Sequence, residues 1–445
     1  MATPIANIAE ILDRRLSGLQ KSVIALCGAV VFVEGLNAQA AGYVAPALMR
    51  DLGLSPSELG LFFSSGLIGL MLGGLLVAPL ADRVGRRPVL LACVALFGIC
   101  SIASAASTSV AMLNGFRFLT GLGVGGAMAN AISLTAEYSP ERRRSSMVAV
   151  MLIGFISGSI AVGLIAAHLV PSWGWESVFV VGGALSLLLL PLLYFALPES
   201  IRFLVLKEGS RDTVARLLKR IDATLDVGRE TRLVVEERPA SGISVVALFR
   251  EGRARTTVLL WTIYFMSLLN LYLVASWLTT HITSLGIPVG VAILIGTMFQ
   301  VGGALGTLFG WMVDRLGASI TICAAYLIGA AAIACIGLAG SNLFALGFAV
   351  LAAGFGIIGG QTAANGLGAI SYPTQIRSTG VGWATGIGRA GSIVGPGLAG
   401  ILVEFGVSTE HIFYLAVIPA LCASLAGAAL GGFRRSWAAK ESAAQ

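Results

Sequence analysis

Apolar stretches of about 20 residues or more recur along this chain and are separated by short polar connectors. An α-helix of that length spans the hydrocarbon core of a bilayer, which is about 30 Å thick. The pattern therefore predicts twelve transmembrane helices, near residues 22–48, 59–80, 89–107, 110–136, 146–170, 176–197, 256–280, 288–312, 318–339, 343–370, 380–403 and 411–432.

One long polar segment, residues 198–255, interrupts the apolar stretches, and its charged residues favour a short surface helix. Because it follows the sixth predicted helix, it divides the chain into two six-helix bundles. The predicted organisation is a cytoplasmic N-terminal segment at 1–21, a first bundle at 22–197, a central cytoplasmic loop at 198–255, a second bundle at 256–432 and a cytoplasmic tail at 433–445.

The two predicted bundles share short sequence matches at a near-constant offset. The segment 82–85 (Asp-Arg-Val-Gly) recurs as 314–317 (Asp-Arg-Leu-Gly), and 158–160 (Gly-Ser-Ile) recurs as 391–393. Internal repeats are typical of secondary transporters, whose substrate path runs between the repeats. The predicted fold class is therefore an all-α membrane protein with twelve transmembrane helices in two six-helix pseudo-repeats.

Composition agrees with a membrane protein and argues against a soluble one. Hydrophobic residues make up 56% of the chain, charged residues 11%, and the mean hydropathy is +0.89; ordinary globular proteins have roughly 25% charged residues. Lys and Arg concentrate in connectors on one predicted side of the membrane, so the positive-inside rule predicts that both termini are cytoplasmic. The net charge of +7 is therefore attributed to orientation in the lipid bilayer, and we expect no nucleic-acid partner.

No pattern typical of a cofactor or metal site was found in the sequence. The six cysteines and three histidines are scattered and lack metal-ligand spacing. Three Gly-x-Gly-x-x-Gly sequences, starting at Gly121, Gly354 and Gly386, lie inside predicted helices without a preceding strand. They indicate helix-packing glycines rather than a dinucleotide site. We expect no cofactor, no metal and no enzymatic activity.

Several segments resemble a known family. Residues 81–87 (Ala-Asp-Arg-Val-Gly-Arg-Arg) and the Arg-x-x-x-Gly-x-Gly-x-Gly pattern at 117–125 are similar to two motifs of the major facilitator superfamily. Within it, the segments 34–42, 197–204 and 375–382 resemble the aromatic acid:proton symporters. The Glu-Gly-Leu sequence that opens the segment 34–42 is most similar to transporters of hydroxyphenylpropionate-type acids.

The resemblance implies a secondary active transporter in a bacterial inner (plasma) membrane. It would import an aromatic carboxylate, hydroxybenzoate- or phenylpropionate-like, together with protons by alternating access, and we expect it to function as a monomer. Two alternatives stay open: a proton-coupled exporter of drugs or metabolites, and a transporter-like sensor that binds without transporting. The family carries two acids in its first helix, and here Asn37 replaces the second.

Glu34 and Arg117 are the residues predicted to couple protons. Both lie near the middle of predicted helices, where an ionisable side chain is costly and is by default a sign of function. Arg117 would pair with Glu34 in the absence of substrate and tune proton release. The alternatives are a structural Glu34 bonded to a neighbouring helix and an Arg117 that holds helix carbonyl groups.

Arg389 is the predicted clamp for the substrate carboxylate, since a guanidinium at mid-depth binds a carboxylate bidentately. The alternative is a fixed ion pair. Asn37, one turn from Glu34, would bond the acid or the substrate; the alternative is a polar group that packs between helices. Further candidates for ring stacking and hydrogen bonding are Tyr264, Asn270, Gln300, Gln361, Asn365 and Trp383. The alternative for each is a packing residue or an interfacial aromatic.

Charged residues at the cytoplasmic helix ends lie too far from mid-depth to meet substrate. We expect them to form latches that break and re-form as the halves rock, with Glu137 pairing with the arginines at 142–144 and Glu199 with Arg202. Simple positive-inside anchoring is the alternative for some of them. The predicted latch residues are Asp82, Arg83, Gly85, Arg86, Arg87, Glu137, Arg143, Asp314, Arg315 and Arg377.

Overall fold

Two helix starts show how the local sequence determines where a helix begins. The Ser17 hydroxyl accepts a hydrogen bond from the Gln20 N–H, and the Gln20 side chain accepts one from the Ser17 N–H at 2.7 Å. Ser55 and Glu58 form the same reciprocal pair before a helix with Pro56 at its first position. These capping boxes satisfy N–H groups that a helix end otherwise leaves free.

The computed structural model describes residues 5–13, 16–207, 211–222, 232–234, 245–373 and 376–444. Within them, twelve helices are long and apolar enough to cross a membrane, which confirms the predicted fold class. They are α1 Gly18–Leu52, α2 Pro56–Leu72, α3 Arg86–Ala105, α4 Val110–Tyr138, α5 Arg144–Trp173, α6 Glu176–Ala196, α7 Ala254–Ser284, α8 Val289–Gly306, α9 Ala318–Leu338, α10 Leu343–Ser371, α11 Arg377–Glu404 and α12 Thr409–Ala444.

Two of these helices continue through a change of helix type or a short break. α2 runs on as a π-helical turn, Gly73–Val77, a 3₁₀ turn, Ala78–Leu80, and a last turn, Ala81–Val84. α8 resumes as Leu308–Leu316. A π-helical turn shifts the phase of the helix, and such turns occur frequently at functional sites.

Short elements lie outside the twelve helices. The polar segment after α6 contains the helices Ile201–Leu206 and Arg211–Ile221 and the 3₁₀ turn Val245–Phe249. The remaining short elements are the helix Ile8–Asp13, the 3₁₀ turn Glu141–Arg143 and two strands, β1 Ile5–Asn7 and β2 Arg232–Val234, which pair in parallel. The sequence analysis did not predict this strand pair.

Glycines bring the helices of each half close together. A methyl group at Gly121 or Gly125 of α4 would lie 2.0 Å from a backbone oxygen of α2, that of Gly66 or Leu70 respectively. Gly158 brings α5 equally close to α1, since a methyl group there would lie 1.9 Å from the Phe32 oxygen. Small residues of this kind permit close backbone packing where lipid provides no hydrophobic driving force.

In the described part of the chain, the first six helices meet the last six mainly where α2 packs against α11, α5 against α8, and α1 against α7. The close contacts of α2 with α11 lie towards the end where α2 begins and α11 ends. There the Ser64 hydroxyl donates to the Ile393 oxygen at 2.9 Å, and the Ser57 N–H donates to Glu404 Oε2 at 2.9 Å. We call this the closed end of the molecule and the other, where Arg86 lies, the basic end.

Candidate functional site

A cavity of about 850 Å³ lies between α2, α4 and α11 on the basic-end side of the molecule. Its wall is mostly apolar, with Trp383 and Arg389 among its lining residues. Gly386 also lines it, and no atom lies within 4 Å of the position a methyl group would take there. The expectation that Gly386 packs against another helix is therefore wrong, because its missing side chain widens the cavity instead.

A second, smaller pocket of about 50 Å³ lies next to the large cavity, and Leu70 lines both. Its polar lining comes from both halves of the chain: Asn37 of α1, Arg117 of α4 and Tyr272 of α7. Phe63 lines the same pocket and packs edge-on against Trp277, with ring centroids 6.1 Å apart. The pocket therefore lies on the cavity side of an aromatic contact between the halves.

Arg117 has a guanidinium group that is buried without an anion. The residue is 5% exposed and lies over the rings of Phe62 and Phe179, at 5.7 and 5.3 Å from their centroids. Its Nη2 donates to the Asn37 backbone oxygen at 3.4 Å, whereas Nε and Nη1 have no hydrogen-bond partner among the described residues. Because lone buried charges are costly, this group is a candidate anion ligand.

Asn37 is held by its side-chain amide. Nδ2 donates to the Val33 oxygen at 2.8 Å, to the Ser186 hydroxyl at 3.1 Å and to the Gly182 oxygen at 3.4 Å. The predicted bond from Asn37 to Glu34 is not formed. The amide instead joins α1 to α6, and the side chain lies at the edge of the small pocket.

Glu34 is completely buried, and neither of its oxygens has a hydrogen-bond partner in the part of the chain that the structure describes. It lines neither the large cavity nor the small pocket. The predicted ion pair between Glu34 and Arg117 is therefore wrong for this conformation. The physical reason is that Glu34 projects into the first bundle, while Arg117 faces the pocket between the halves.

Arg389 lines the large cavity, and its Nη1 donates to the Tyr272 hydroxyl at 3.3 Å. It forms no ion pair with any residue in the described ranges. Sequence reasoning missed Tyr272, although Tyr272 and Ser276 are four residues apart and line one face of α7. This hydrogen bond connects the wall of the large cavity to the small pocket.

Trp383 is the other predicted substrate residue on the wall of the large cavity. It is 45% exposed and stacks on Trp261 at 6.1 Å with an interplanar angle of 24°. Trp261 in turn packs edge-on against Phe249 at 5.4 Å. Trp383 therefore presents a flat aromatic face that is held in place by its neighbour.

The other predicted substrate residues lie away from both cavities. The Tyr264 hydroxyl donates to the Ala364 oxygen at 3.4 Å, and Asn270 Nδ2 to the Ala416 oxygen at 3.0 Å. Both bonds connect α7 to other helices of the second half. Gln361 accepts from Ser267 at 2.5 Å and donates to Asn365 at 3.0 Å, and Gln300 is buried on α8. These residues were predicted from their depth in the membrane, which does not determine the direction in which a side chain points. None of them lines the large cavity or the small pocket.

Arg86 is the centre of an ionic network at the basic end of the first half. Its side chain pairs with Asp82 at 3.0 Å and with Glu137 at 2.9 Å. Glu137 also accepts from the Ser200 hydroxyl. The expected pairing of Glu137 with the arginines at 142–144 is wrong, because α4 ends beside the start of α3, where Arg86 lies.

Glu199 binds the start of α3. Its carboxylate accepts from the backbone N–H groups of Arg86 and Arg87, at 2.9 and 3.2 Å. Gly85 has φ +113°, and a side chain there would begin 2.4 Å from Glu199 Oε2. A glycine is therefore required where the α2–α3 connector turns around this carboxylate.

The remaining predicted latch residues also lie at the basic end of the molecule. Arg83, Arg143 and Asp314 are exposed. Arg315 lies over the Trp311 ring at 4.0 Å, and Arg377 donates to the Tyr372 oxygen at 3.4 Å. Their role as latches stays a prediction.

Comparison with known sequences gives matches over nearly the whole chain. The profile of the Major Facilitator Superfamily matches residues 27–306 and 260–443. The chain is 40% identical to the 4-hydroxybenzoate transporter PcaK of Pseudomonas aeruginosa, over 92% of each chain. It is 39% identical to a gallate transporter of Pseudomonas putida, over 96% of each chain, and 34% identical to the 3-(3-hydroxy-phenyl)propionate transporter of Escherichia coli, over 91% of this chain and 92% of that one.

Solved structures share the fold at low sequence identity. An inward-facing, occupied bacterial homolog of the human lysosomal transporter Spinster matches with a TM-score of 0.74 and 15% identity, over 92% of this chain and 96% of that one. The xylose transporter XylE of Escherichia coli, partially occluded and inward open, matches with a TM-score of 0.69 and 18% identity, over 92% and 97%. These relatives and neighbours are transporters rather than enzymes.

Proposed function

Because this chain belongs to the major facilitator superfamily and to its aromatic acid transporters, we propose that it imports a hydroxylated aromatic carboxylate together with protons by alternating access. The substrate class is hydroxybenzoate-like or phenylpropionate-like. The observation that carries this proposal is a mostly apolar cavity with Trp383 in its wall and two guanidinium groups that lack carboxylate partners in the described chain, Arg389 at its side and Arg117 in the pocket beyond.

The cavity suits a monocyclic acid. Its volume of about 850 Å³ falls within the usual range for small-molecule sites, about 300–1,000 Å³. Trp383 offers a ring-stacking face and Arg389 offers N–H donors for a carboxylate. The pairing of an apolar wall with a cation favours an aromatic anion over a neutral sugar or a cationic drug.

The conformation fits one state of an alternating-access cycle. The halves touch at the closed end through Ser64, Ser57 and Glu404, and the cavity lies towards the basic end. The positive-inside rule assigns the basic end to the cytoplasm, so this state is inward-facing. We propose that the protein works in this cycle as a monomer in a bacterial inner membrane, with both termini cytoplasmic.

Glu34 is our candidate for the proton site. A buried carboxylate without a partner would cost several kcal/mol as an ion, so we infer that Glu34 carries a proton in the inward-facing state. An inward proton gains about 2.3 kcal/mol per 100 mV of membrane potential. Asn37 lies one turn from Glu34, and its backbone oxygen accepts a hydrogen bond from Arg117. This contact connects the proposed proton site on α1 to a guanidinium group that lines the substrate pocket.

Uptake into proteoliposomes tests this proposal. Labelled 4-hydroxybenzoate, gallate and 3-(3-hydroxyphenyl)propionate are offered with and without an inward pH gradient. We expect accumulation above equilibrium for at least one acid, only with the gradient. Outward flux driven by the gradient would favour an exporter, and binding without flux would favour a sensor.

A further inference from the structure

We propose that Arg117 and the small pocket form a second carboxylate site, deeper than Arg389, into which the head group of the transported acid moves. The inference rests on the proposed function, because it concerns the same aromatic anions. It changes the part that Arg117 plays: the residue binds the substrate directly, rather than acting through an ion pair with Glu34.

The first argument is the state of the Arg117 guanidinium. It is 95% buried, carries unpartnered Nε and Nη1 groups among the described residues, and lines the pocket. The rings of Phe62 and Phe179 offset part of the charge through their π faces. Rings supply no hydrogen-bond acceptor in the plane of a guanidinium, and the bond to Asn37 uses only one Nη2 hydrogen. One edge of the group, the other Nη2 hydrogen with either Nε or Nη1, therefore remains available to a carboxylate.

The second argument is the size and position of the pocket. About 50 Å³ is slightly less than the volume that two water molecules occupy in the liquid, at about 30 Å³ each. It admits a carboxylate head group but not an aromatic ring. Because Leu70 lines both spaces, a bound acid would leave its ring in the large cavity beside the pocket.

The third argument is the hydroxyl of Tyr272. This group lines the pocket and accepts a hydrogen bond from Arg389 Nη1 at 3.3 Å. With its oxygen engaged by Arg389, its O–H proton is free to donate to a carboxylate in the pocket. Tyr272 therefore connects the two guanidinium groups and lets the head group pass from one to the other without losing hydrogen bonds.

Binding to purified protein tests the site separately from transport. The probes are 4-hydroxybenzoate and its neutral analogue 4-hydroxybenzamide, measured by calorimetry on wild type, Arg117→Gln, Arg117→Lys, Arg389→Gln and the double glutamine variant. Arg216→Gln is the matched control, because Arg216 is exposed on the helix Arg211–Ile221, away from both cavities. Binding of the amide reports that each variant is folded.

We expect Arg117→Gln to reduce the preference for the carboxylate over the amide at least about tenfold, with amide affinity unchanged and partial rescue by Arg117→Lys. Arg389→Gln should leave a residual preference that the double variant loses. If Arg117→Gln keeps the wild-type preference while Arg389→Gln abolishes it, the second site does not exist and the proposed function stands. If wild type shows no preference for the carboxylate, both proposals fail.

Discussion

At Asn37, three acceptors surround one amide: the oxygens of Val33 and Gly182 and the hydroxyl of Ser186. The related family has a second acid at this position, so Asn37→Asp tests whether this chain tolerates one. An ionised Asp would place acceptors against acceptors, whereas a protonated Asp can still donate one hydrogen bond. We therefore expect destabilisation of about 1–3 kcal/mol at alkaline pH, shrinking as the pH falls.

Thermal unfolding of Asn37→Asp in detergent, at about pH 5.5 and about pH 8.5, measures this dependence. Asn342→Asp is the matched control, since Asn342 caps α10 through its side-chain oxygen and aspartate serves equally well there. Equal stability of Asn37→Asp and wild type at alkaline pH would show that the site accommodates a second ionised acid.

Glu34→Gln asks whether the buried carboxyl carries the transported proton. Glutamine has a similar shape but stays neutral at every pH, so counterflow exchange should continue while accumulation driven by a pH gradient is lost. A gradient of one pH unit supplies about 1.4 kcal/mol, or about tenfold accumulation, when one proton is coupled. Uptake and counterflow in proteoliposomes separate the two, and the exposed Glu141→Gln is the control. Gradient-driven accumulation by Glu34→Gln would show that the proton is carried elsewhere.

At the scale of helices, α4 and α11 use glycine for opposite purposes. A methyl group at Gly125 would lie 2.0 Å from the Leu70 oxygen, whereas one at Gly386 would meet open space in the cavity. We expect Gly125→Ala to lower the folded yield, because over-packing costs about 1–3 kcal/mol or more. Gly386→Ala should fold normally and select against the bulkier acids.

Size-exclusion profiles and uptake of gallate against 4-hydroxybenzoate measure these two effects. Gly382→Ala provides a second cavity-wall control, because nothing lies within 4 Å of that position either. Normal folding of Gly125→Ala would mean that α2 and α4 can separate without loss, contrary to the tight contact described above.

The fold could be predicted because each membrane-spanning helix is a long apolar stretch of the sequence, and the repeated segments indicate two related halves. For the site, the sequence predicted how deep each residue lies in the membrane but not which side chains face the cavity. Arg389 and Trp383 line the cavity, but Tyr264 and Asn270 face other helices, while Tyr272 was overlooked. α7 carries polar residues on several faces, and its packing against α10 and α12 decides which one meets the cavity. The π-helical turn of α2, Gly73–Val77, likewise changes which residues face inward, and hydropathy carries no signal for it.

At the scale of the whole molecule, the closed end holds the halves together with few polar bonds. Ser64 donates to Ile393 across the interface of α2 with α11, beside the close approach of Gly60 to Pro396 and Gly397. At the basic end, Arg86 pairs with Asp82 and Glu137, which belong to the same half. We therefore expect the hydrogen bonds and the packing at the closed end to influence the balance between inward-facing and outward-facing states.

Ser64→Ala removes one of those terms and should shift the balance outward. Loss of a buried hydrogen bond of about 1 kcal/mol changes the ratio of two states about fivefold. Distances between spin labels at Trp173→Cys and Phe405→Cys, exposed residues on opposite halves of the closed end, should gain a longer population, in a background with the exposed Cys335 replaced by Ser. Ser157→Ala, which loses only a bond within α5, should leave the distances unchanged. If Ser64→Ala leaves them unchanged too, this hydrogen bond does not set the balance, because the close approach at Gly60 and the bond from Ser57 to Glu404 would then dominate the energy of closure.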